Sequence, residues 1–586
     1  MKKTTLLLSL PLLCFVLAGC ETADHMVPVP GTLYDVRSFG AIGDGKALDS
    51  PAINKAINAA AAAGGGTVCL PAGTYLSGSI ELKSNIHLLI EAGATILGAP
   101  QSMKAYDLEE PWIGRAYQDG GHTFFHNSLI WGENLTNVSI TGQGMINGGD
   151  LSRGDGNEDR GNSFGGGGRG QGRGNLPPPQ AGGTSFPTNA NSNAPFSPNQ
   201  RLGNKAIALK LCRNVLLRDI TIFHGGHFAI LVTGCEDMTV DNVTMDTDRD
   251  GIDIDCCRNT MVSNCRINSP ADDALCPKSS FALGSNVITE NLTIVNCQVS
   301  GFQEGTLLDG TMKPGQGNGR IKLGTEANGG FRNITIANCT FRGCKGLALE
   351  EVDGGIMENI TVNNITMMDV VGYPIYITTG RRNRGPNVTE PSRARNIFIS
   401  NVIATGIDKV RGGPGMRGGT NGVRGAGMGP GRGGAGPGRE GGPRGMGTNQ
   451  PSSSVNGIQI EGMPDQPIEN VRLENIRLQF KGGGTAADAA VTPNELGTGY
   501  PEPRGVMPGY GVFARHVKGL EMANITVGFD TQDLRPALVG VDVDALEINN
   551  FKAQLAPNVP PARLEGVKGL VVLNSPVLQG VAADKP

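Results

Sequence analysis

A repeat of 22 to 23 residues runs through the middle of the chain and narrows its possible folds more than any other feature. Cys212-Arg-Asn-Val-Leu-Leu-Arg-Asp-Ile220, Cys235-Glu-Asp-Met-Thr-Val-Asp-Asn-Val243 and Cys257-Arg-Asn-Thr-Met-Val-Ser-Asn-Cys265 align, with their leading cysteines 23 and 22 positions apart. Weaker copies follow at Asn291–Cys297, Arg332–Cys339, Glu358–Asn364, Arg395–Asn401, Glu469–Asn475 and Met522–Val527. Each is a short run of alternating apolar and polar residues rich in Val, Ile and Thr, bounded by Gly, Asn or Asp, which is the pattern of a strand between turns. Repeats of this length build solenoids or propellers. A propeller blade needs roughly 40 residues, and leucine-rich repeats would show regularly spaced leucines in place of Asn-Ile-Thr-Ile-x-Asn. The period therefore predicts a parallel β-helix, in which each coil adds one strand to each sheet and lies about 4.8 Å from the next. Equivalent positions then stack. The Asn column is expected to hydrogen-bond along the stack at a turn, and the Cys column to behave as small buried apolar residues.

Because a solenoid grows one coil at a time, 586 residues can form a single body. A net charge of −4 argues against a nucleic-acid partner. The N-terminus reads Met1-Lys2-Lys3, an apolar stretch from Leu6 to Leu17, then Leu17-Ala18-Gly19-Cys20. This predicts an export signal, too short to span a membrane. The last four residues resemble the lipobox of bacterial lipoproteins. That resemblance implies that Cys20 becomes the lipidated first residue of a membrane-anchored protein in the periplasm or at the cell surface. The plainer alternative is an ordinary cleaved signal. Twelve cysteines in an exported chain could form disulfides, but pairing cannot be read from sequence. No Cys/His spacing matches a zinc site, and neither metal nor cofactor is expected.

The chain divides into a signal at 1–20, a tether at 21–30 and an N-terminal cap with the first coils at 31–149. A Gly/Pro/Asn-rich insert at 150–203, expected to be disordered, precedes the central coils at 204–409. A Gly/Arg-rich insert follows at 410–454, then C-terminal coils at 455–586 with a flexible loop at 482–508. Near the start, Asp49 or Ser50 can cap a helix with Pro51 in its first turn. Ala52, Ile53, Ala56, Ile57 and Ala60 give that helix an apolar face, suited to closing one end of the solenoid.

Two acidic clusters lie one repeat apart, Asp248-Arg249-Asp250-Gly251-Ile252-Asp253 and Ala271-Asp272-Asp273-Ala274. Asp250 precedes Asp272 by 22 positions and Asp273 by 23, so the coil register brings three carboxylates together on one face. Crowded carboxyls raise the pKa of one member, which general acid catalysis near neutral pH requires. An inverting glycosidase needs its carboxyl groups roughly 6.5–9.5 Å apart to admit a water, a gap that adjacent coils can supply. The alternative is a set of acidic turn residues that bind Ca²⁺ or merely decorate the turns.

Here the sequence resembles a known family. Asp35-Val-Arg-Ser-Phe-Gly-Ala-Ile-Gly-Asp-Gly45 and Asp49-Ser-Pro-Ala-Ile-Asn-Lys-Ala-Ile57 look like the first coil and cap of pectin-degrading β-helix enzymes. Arg249-Asp250-Gly-Ile-Asp253 resembles the Asn-Thr-Asp-Gly-x-Asp motif of glycoside hydrolase family 28, the polygalacturonases. Ala271-Asp272-Asp273-Ala-Leu-Cys-Pro-Lys278-Ser279 resembles that family's Gly-Asp-Asp-x-x-x-x-Lys-Ser. The resemblance covers about 31–405 apart from the first insert. It implies an all-β, right-handed, single-stranded parallel β-helix of the pectin-lyase-like kind, acting as a monomer on the acidic plant polysaccharide pectin. It implies hydrolysis with inversion, with Asp272 as general acid and Asp250 and Asp273 holding and activating the water.

The chain also departs from the family. The family's Gly-His-Gly histidine would fall near Gly319 and is missing. Its Arg-Ile-Lys, which binds the substrate carboxylate, is replaced at its usual coil by Ala348-Leu349-Glu350, whereas Arg320-Ile321-Lys322 stands one coil early. Arg320 and Lys322 remain candidates for the sugar carboxylate, which Arg can bind through two hydrogen bonds. Lys278, on the Asp272–Asp273 coil, is a further substrate-binding candidate. So is His227, 23 positions before Asp250 in the same column. The plain reading of Arg320 and Lys322 is ordinary surface charge on a strand, and that of His227 a structural histidine. Arg381, Arg382 and Arg384 read as a solvated turn, with an extension of a basic cleft as the alternative. These departures keep rhamnogalacturonan and xylogalacturonan open as substrates. Two other classes also remain: a Ca²⁺-dependent lyase with a basic residue at the reacting carbon, and a polysaccharide binder without catalysis.

Overall fold

The computed structural model describes residues 33–110, 122–154, 203–385, 388–409, 456–497 and 505–582. The export signal with Cys20, the tether to residue 30 and nearly all of the two long inserts lie outside these residues.

The sequence period becomes a strand register. One coil supplies Phe228–Thr233, Glu236–Asp241 and Thr244–Asp246; the next supplies Asp250–Asp255, Arg258–Ser263 and Arg266–Asn268. The pairs Ile230–Ile252, Met238–Thr260 and Thr244–Arg266 are parallel and each lies 22 residues apart, so one turn of chain advances the structure by one rung. Alternate side chains point inward, and Ile230, Val232, Met238, Val240, Met245, Ile252, Ile254, Val262 and Ile267 join one apolar core that runs from Val36 to Leu578. Burying each such side chain contributes about 1.5–3 kcal/mol, repeated at every rung.

Asparagines mark the bends. Asn214, Asn259, Asn291, Asn333, Asn359, Asn396 and Asn470 all have φ between 52° and 60°. Few residues other than Gly, Asn and Asp tolerate this left-handed region. Their amides also form a ladder: Asn333 Nδ2 donates to Asn291 Oδ1 at 3.1 Å, and Asn359 Nδ2 donates to Asn333 Oδ1 at 3.1 Å. The stack predicted from the repeat is present. The ten described cysteines are buried free thiols, and Cys265 Sγ donates to the Ser263 carbonyl at 3.2 Å. Their column is packing.

Helix α1 (Ser50–Ala62) buries Ile53, Ala56, Ile57 and Ala60 against the first coils. Asp49 stands at its N-cap without capping it, because its carboxylate accepts from the backbone N–H of Ile42 at 2.7 Å and of Gly43 at 3.1 Å. The loop expected to be flexible at 482–508 differs in its described part. It holds a helical turn, Ala486–Ala489, and the buried Arg515 guanidinium donates to the carbonyls of Pro493 and Asn494, both at 2.8 Å.

One face is unlike the others. Its strands are β1 (Lys205–Lys210), β2 (Phe228–Thr233), β3 (Asp250–Asp255) and β4 (Leu275–Lys278). The ladder continues through a Leu275–Ile321 bridge to β5 (Lys322–Leu323), β6 (Leu347–Glu351) and β7 (Ile375–Thr379). Strands β2, β3, β4 and β6 are buried along their whole length, so even their outward side chains are covered. Phe125, Trp131 and Phe228 pack outside one end of this face, Tyr373 and Tyr376 outside the other.

Candidate active site

The register of β2, β3 and β4 sets the acidic residues. Phe228 pairs with Asp250, and the Ile252–Leu275 pairing extends back so that Asp273 follows Asp250 in the same outward column. The backbone N–H of Gly251 donates to the Asp273 carbonyl at 3.0 Å. Asp272 precedes β4 in the turn. One oxygen from each of Asp250, Asp272 and Asp273 lies within 4.8 Å of the other two. The Asp273 N–H donates to Asp250 Oδ1 at 3.2 Å and to Asp272 Oδ1 at 3.1 Å, fixing the three carboxyls relative to one another.

Their surroundings differ sharply. Asp273 is sealed in, with Arg320 Nε 2.7 Å from Oδ1 and Lys322 Nζ 3.2 Å from Oδ2. Burial alone would raise its pKa; Arg320 and then Lys322 outweigh it and hold Asp273 at about 2. Asp250 has the opposite fate. Burial first, then repulsion from Asp272 and Asp253, push it well above the ordinary carboxylate range. The Asp272 side chain alone of the three opens to solvent, at 36% exposure, with Arg249 3.2 Å from Oδ2.

Beyond the trio, buried charges continue along the face. Lys278 Nζ lies 3.2 Å from both Asp253 Oδ2 and Glu326 Oε2, and His122 Nε2 is 3.3 Å from Asp253 Oδ2. Burial pushes Asp253 up against the pull of Lys278 and His122. Burial opposes the charge on Lys278, yet Asp253 and Glu326 keep it protonated with a pKa well above normal. Arg382 then links Glu326, at 3.2 Å, to Asp353.

These positions revise several expectations. Arg320 and Lys322, expected to meet the sugar carboxylate, are buried and serve Asp273, with Glu350 3.9 and 3.8 Å away and the Tyr373 hydroxyl bonded to Arg320. The Ala274 N–H donates to the Arg320 carbonyl at 2.9 Å and places the coil of Arg320 and Lys322 beside Asp273. Lys278 is likewise committed inside the protein. His227 is buried, with its ring nitrogens 2.9 and 3.3 Å from Arg249 Nη1. Arg382 is an ion-pair centre within the fold, so only Arg381 fits the solvated turn. Arg249, Asp253, Glu326, Glu350 and His122 were not assigned from the sequence. The first two lie inside the quoted motif and Glu326 follows Gly324-Thr325. His122 stands in an irregular segment with no signal.

The trio offers three oxygens to a cation, but Arg249, Arg320 and Lys322 already bring positive charge within 3.2 Å of Asp272 and Asp273. This balance suits proton chemistry better than a divalent ion.

Comparison with known proteins agrees with this architecture. A family described as rhamnogalacturonase A/epimerase, pectate lyase-like, matches residues 33–162, and one described as a right-handed β-helix region matches 205–391. A mannuronan C5-epimerase, AlgE1, from Azotobacter vinelandii is 37% identical over 122 residues, which is 20% of this chain and 9% of the epimerase. An exopolygalacturonase from Platanus acerifolia is 24% identical over 402 residues, 65% of this chain and 84% of that protein. Among solved structures, a hyperthermoactive exopolygalacturonase from Thermotoga maritima superimposes with a TM-score of 0.55 at 18% identity, covering 85% of this chain and 92% of that one. The chain is a right-handed parallel β-helix protein like those of glycoside hydrolase family 28.

Proposed function

We propose that the protein hydrolyses glycosidic bonds in a pectic, uronate-containing polysaccharide with inversion. The observation that carries this reading is the convergence of Asp250, Asp272 and Asp273 within 4.8 Å in three different electrostatic settings. The nearest oxygens of the trio lie closer than the roughly 6.5–9.5 Å expected for an inverting pair, but two acceptors this far apart can share one water through two hydrogen bonds of about 2.8 Å, and inversion rests on the resemblance to glycoside hydrolase family 28. Asp273, held ionised, orients that water as a hydrogen-bond acceptor, and Asp250, whose pKa is raised, is the stronger base that takes its proton. Asp272 faces the solvent, where the leaving oxygen of a long polymer can reach it, and is the general acid. The likeness to polygalacturonases in sequence and fold supports the substrate class.

The test is digestion of homogalacturonan, rhamnogalacturonan and xylogalacturonan, with the first products followed by NMR. New reducing ends of inverted configuration are expected, without the absorbance of an unsaturated uronate. Unsaturated products would establish a lyase, and retained configuration would sink the mechanism. The match of residues 33–162 to a family described as rhamnogalacturonase A/epimerase, pectate lyase-like, favours a second linkage, rhamnogalacturonan, for which the same digestion discriminates.

The Leu17-Ala18-Gly19-Cys20 segment supports export with a lipid anchor. Fatty-acid labelling that persists in a Cys20→Ser variant would refute the anchor.

A further inference from the structure

Arg249 holds the position where the family resemblance has a small polar residue, and it is placed between the solvent-facing carboxyl and a buried imidazole. Its Nη2 is 3.2 Å from Asp272 Oδ2, and its Nη1 faces both nitrogens of His227. His227 Nδ1 also contacts the Arg153 carbonyl. The nearer nitrogen, Nδ1, is 2.9 Å from Nη1, and an unprotonated ring nitrogen can accept from the guanidinium. The imidazole therefore steadies the guanidinium without neutralising it.

The contrast with Arg320 is informative. Arg320 is 2% exposed and locked to Asp273, whereas the Arg249–Asp272 pair is 13% and 36% exposed by side chain. With Asp272 partly open to solvent the pair is less enclosed than Arg320–Asp273, and an incoming carboxylate can exchange with that anion. The guanidinium fork suits such an exchange, since it accepts a planar carboxylate in the same geometry.

We propose that Arg249 is the uronate-recognition residue of this chain, and that a sugar carboxylate binding to it displaces Asp272 and so arms the general acid. The proposal rests on the hydrolase reading above. In the free protein Asp272 is paired with Arg249, and Asp250, buried beside Asp272 and Asp253, is the member placed to keep a proton. When the substrate carboxylate takes over Arg249, Asp272 loses its counter-ion, and the proton crosses from Asp250 to Asp272 over a gap of less than 4.8 Å, one water wide. Asp250, now ionised, joins Asp273 as acceptor for the attacking water. The water oxygen bonds to the anomeric carbon as the glycosidic C–O bond breaks. The Asp272 proton goes to the leaving oxygen, and a water proton returns to Asp250, restoring the starting state. The other charges facing this exchange stay fixed: Arg320 and Lys322 on Asp273, Lys278 on Asp253, and Arg153 on Asp248.

A neutral, methyl-esterified substrate cannot displace Asp272 and should be cleaved poorly. The experiment compares kcat/KM on de-esterified and methyl-esterified homogalacturonan for the wild type, Arg249→Lys and Arg249→Gln, with thermal melts as a folding control. The wild type should favour the free acid by about 10- to 100-fold, the range of one charge-assisted contact. Arg249→Gln should bring that ratio close to one while still melting like the wild type, and Arg249→Lys should retain part of it. An Arg249→Gln enzyme that keeps the wild-type ratio overturns the proposal and leaves the hydrolase reading standing. A wild-type protein inert on every pectic polymer overturns the hydrolase reading itself.

Discussion

Arg320 Nε lies 2.7 Å from Asp273 Oδ1 across adjacent coils, and both residues are nearly sealed from solvent. Because Asp273 titrates at about 2 against an ordinary value of 3.8, its charge favours the folded state. That contribution is complete above pH 4 and is lost as the pH falls toward 2. Its size is about 2 kcal/mol. Urea unfolding between pH 2 and 5 should show this limb in the wild type and lack it in Asp273→Asn.

Removing the cation should be worse than removing the pair. Arg320→Met leaves a buried carboxylate with Lys322 as its remaining close cation, and should lower stability by about 3–5 kcal/mol. Arg320→Met combined with Asp273→Leu should be less destabilised than the sum of the two single variants. Denaturant midpoints of the four proteins form the cycle; simple additivity would show that the two residues are energetically independent.

Asp272 is exposed enough to be changed without disturbing the core. Asp272→Asn should lower kcat by roughly 10²- to 10⁴-fold, the usual worth of a general acid, while polymer binding and melting temperature stay near the wild type. Pull-down on pectin gel with parallel assays for reducing ends separates the two properties. Turnover at the wild-type rate would remove Asp272 from the acid role.

The asparagine ladder gives a stability prediction far from the site. Asn333 has φ 55° and exchanges amide hydrogen bonds with Asn291 and Asn359. Asn333→Ala loses both bonds and strains the backbone, for a loss of about 2–3 kcal/mol. Asn333→Gly loses only the bonds and should unfold at higher denaturant than the alanine variant.

The sequence carried the fold well, because a solenoid writes its register as a period. The 22-residue offset of the cysteine segments is the same offset that pairs Ile230 with Ile252. It likewise carried Asp250, Asp272 and Asp273 to one place. What it hid was which cations face inward. Arg320 and Lys322 read as surface charge on a short strand, and only the packing of Tyr373 and the coil of Glu350 shows them enclosed. His122 could not be found at all, since it reaches Asp253 from a segment outside the repeat. Arg249 was visible inside the motif, but its role depends on His227, one coil away.

The ladder also ignores how much chain separates its rungs. Asn214 donates to Asn137 at 2.8 Å across 77 residues, and Asn470 to Asn396 at 3.2 Å across 74, as readily as Asn359 does to Asn333 across 26. Closing a longer loop adds only about 0.6 kcal/mol per doubling of its length. Stacking of the rungs, and not the length of chain between them, therefore sets the register, and Asn214 meets Asn137 as closely as neighbours in the repeat meet each other.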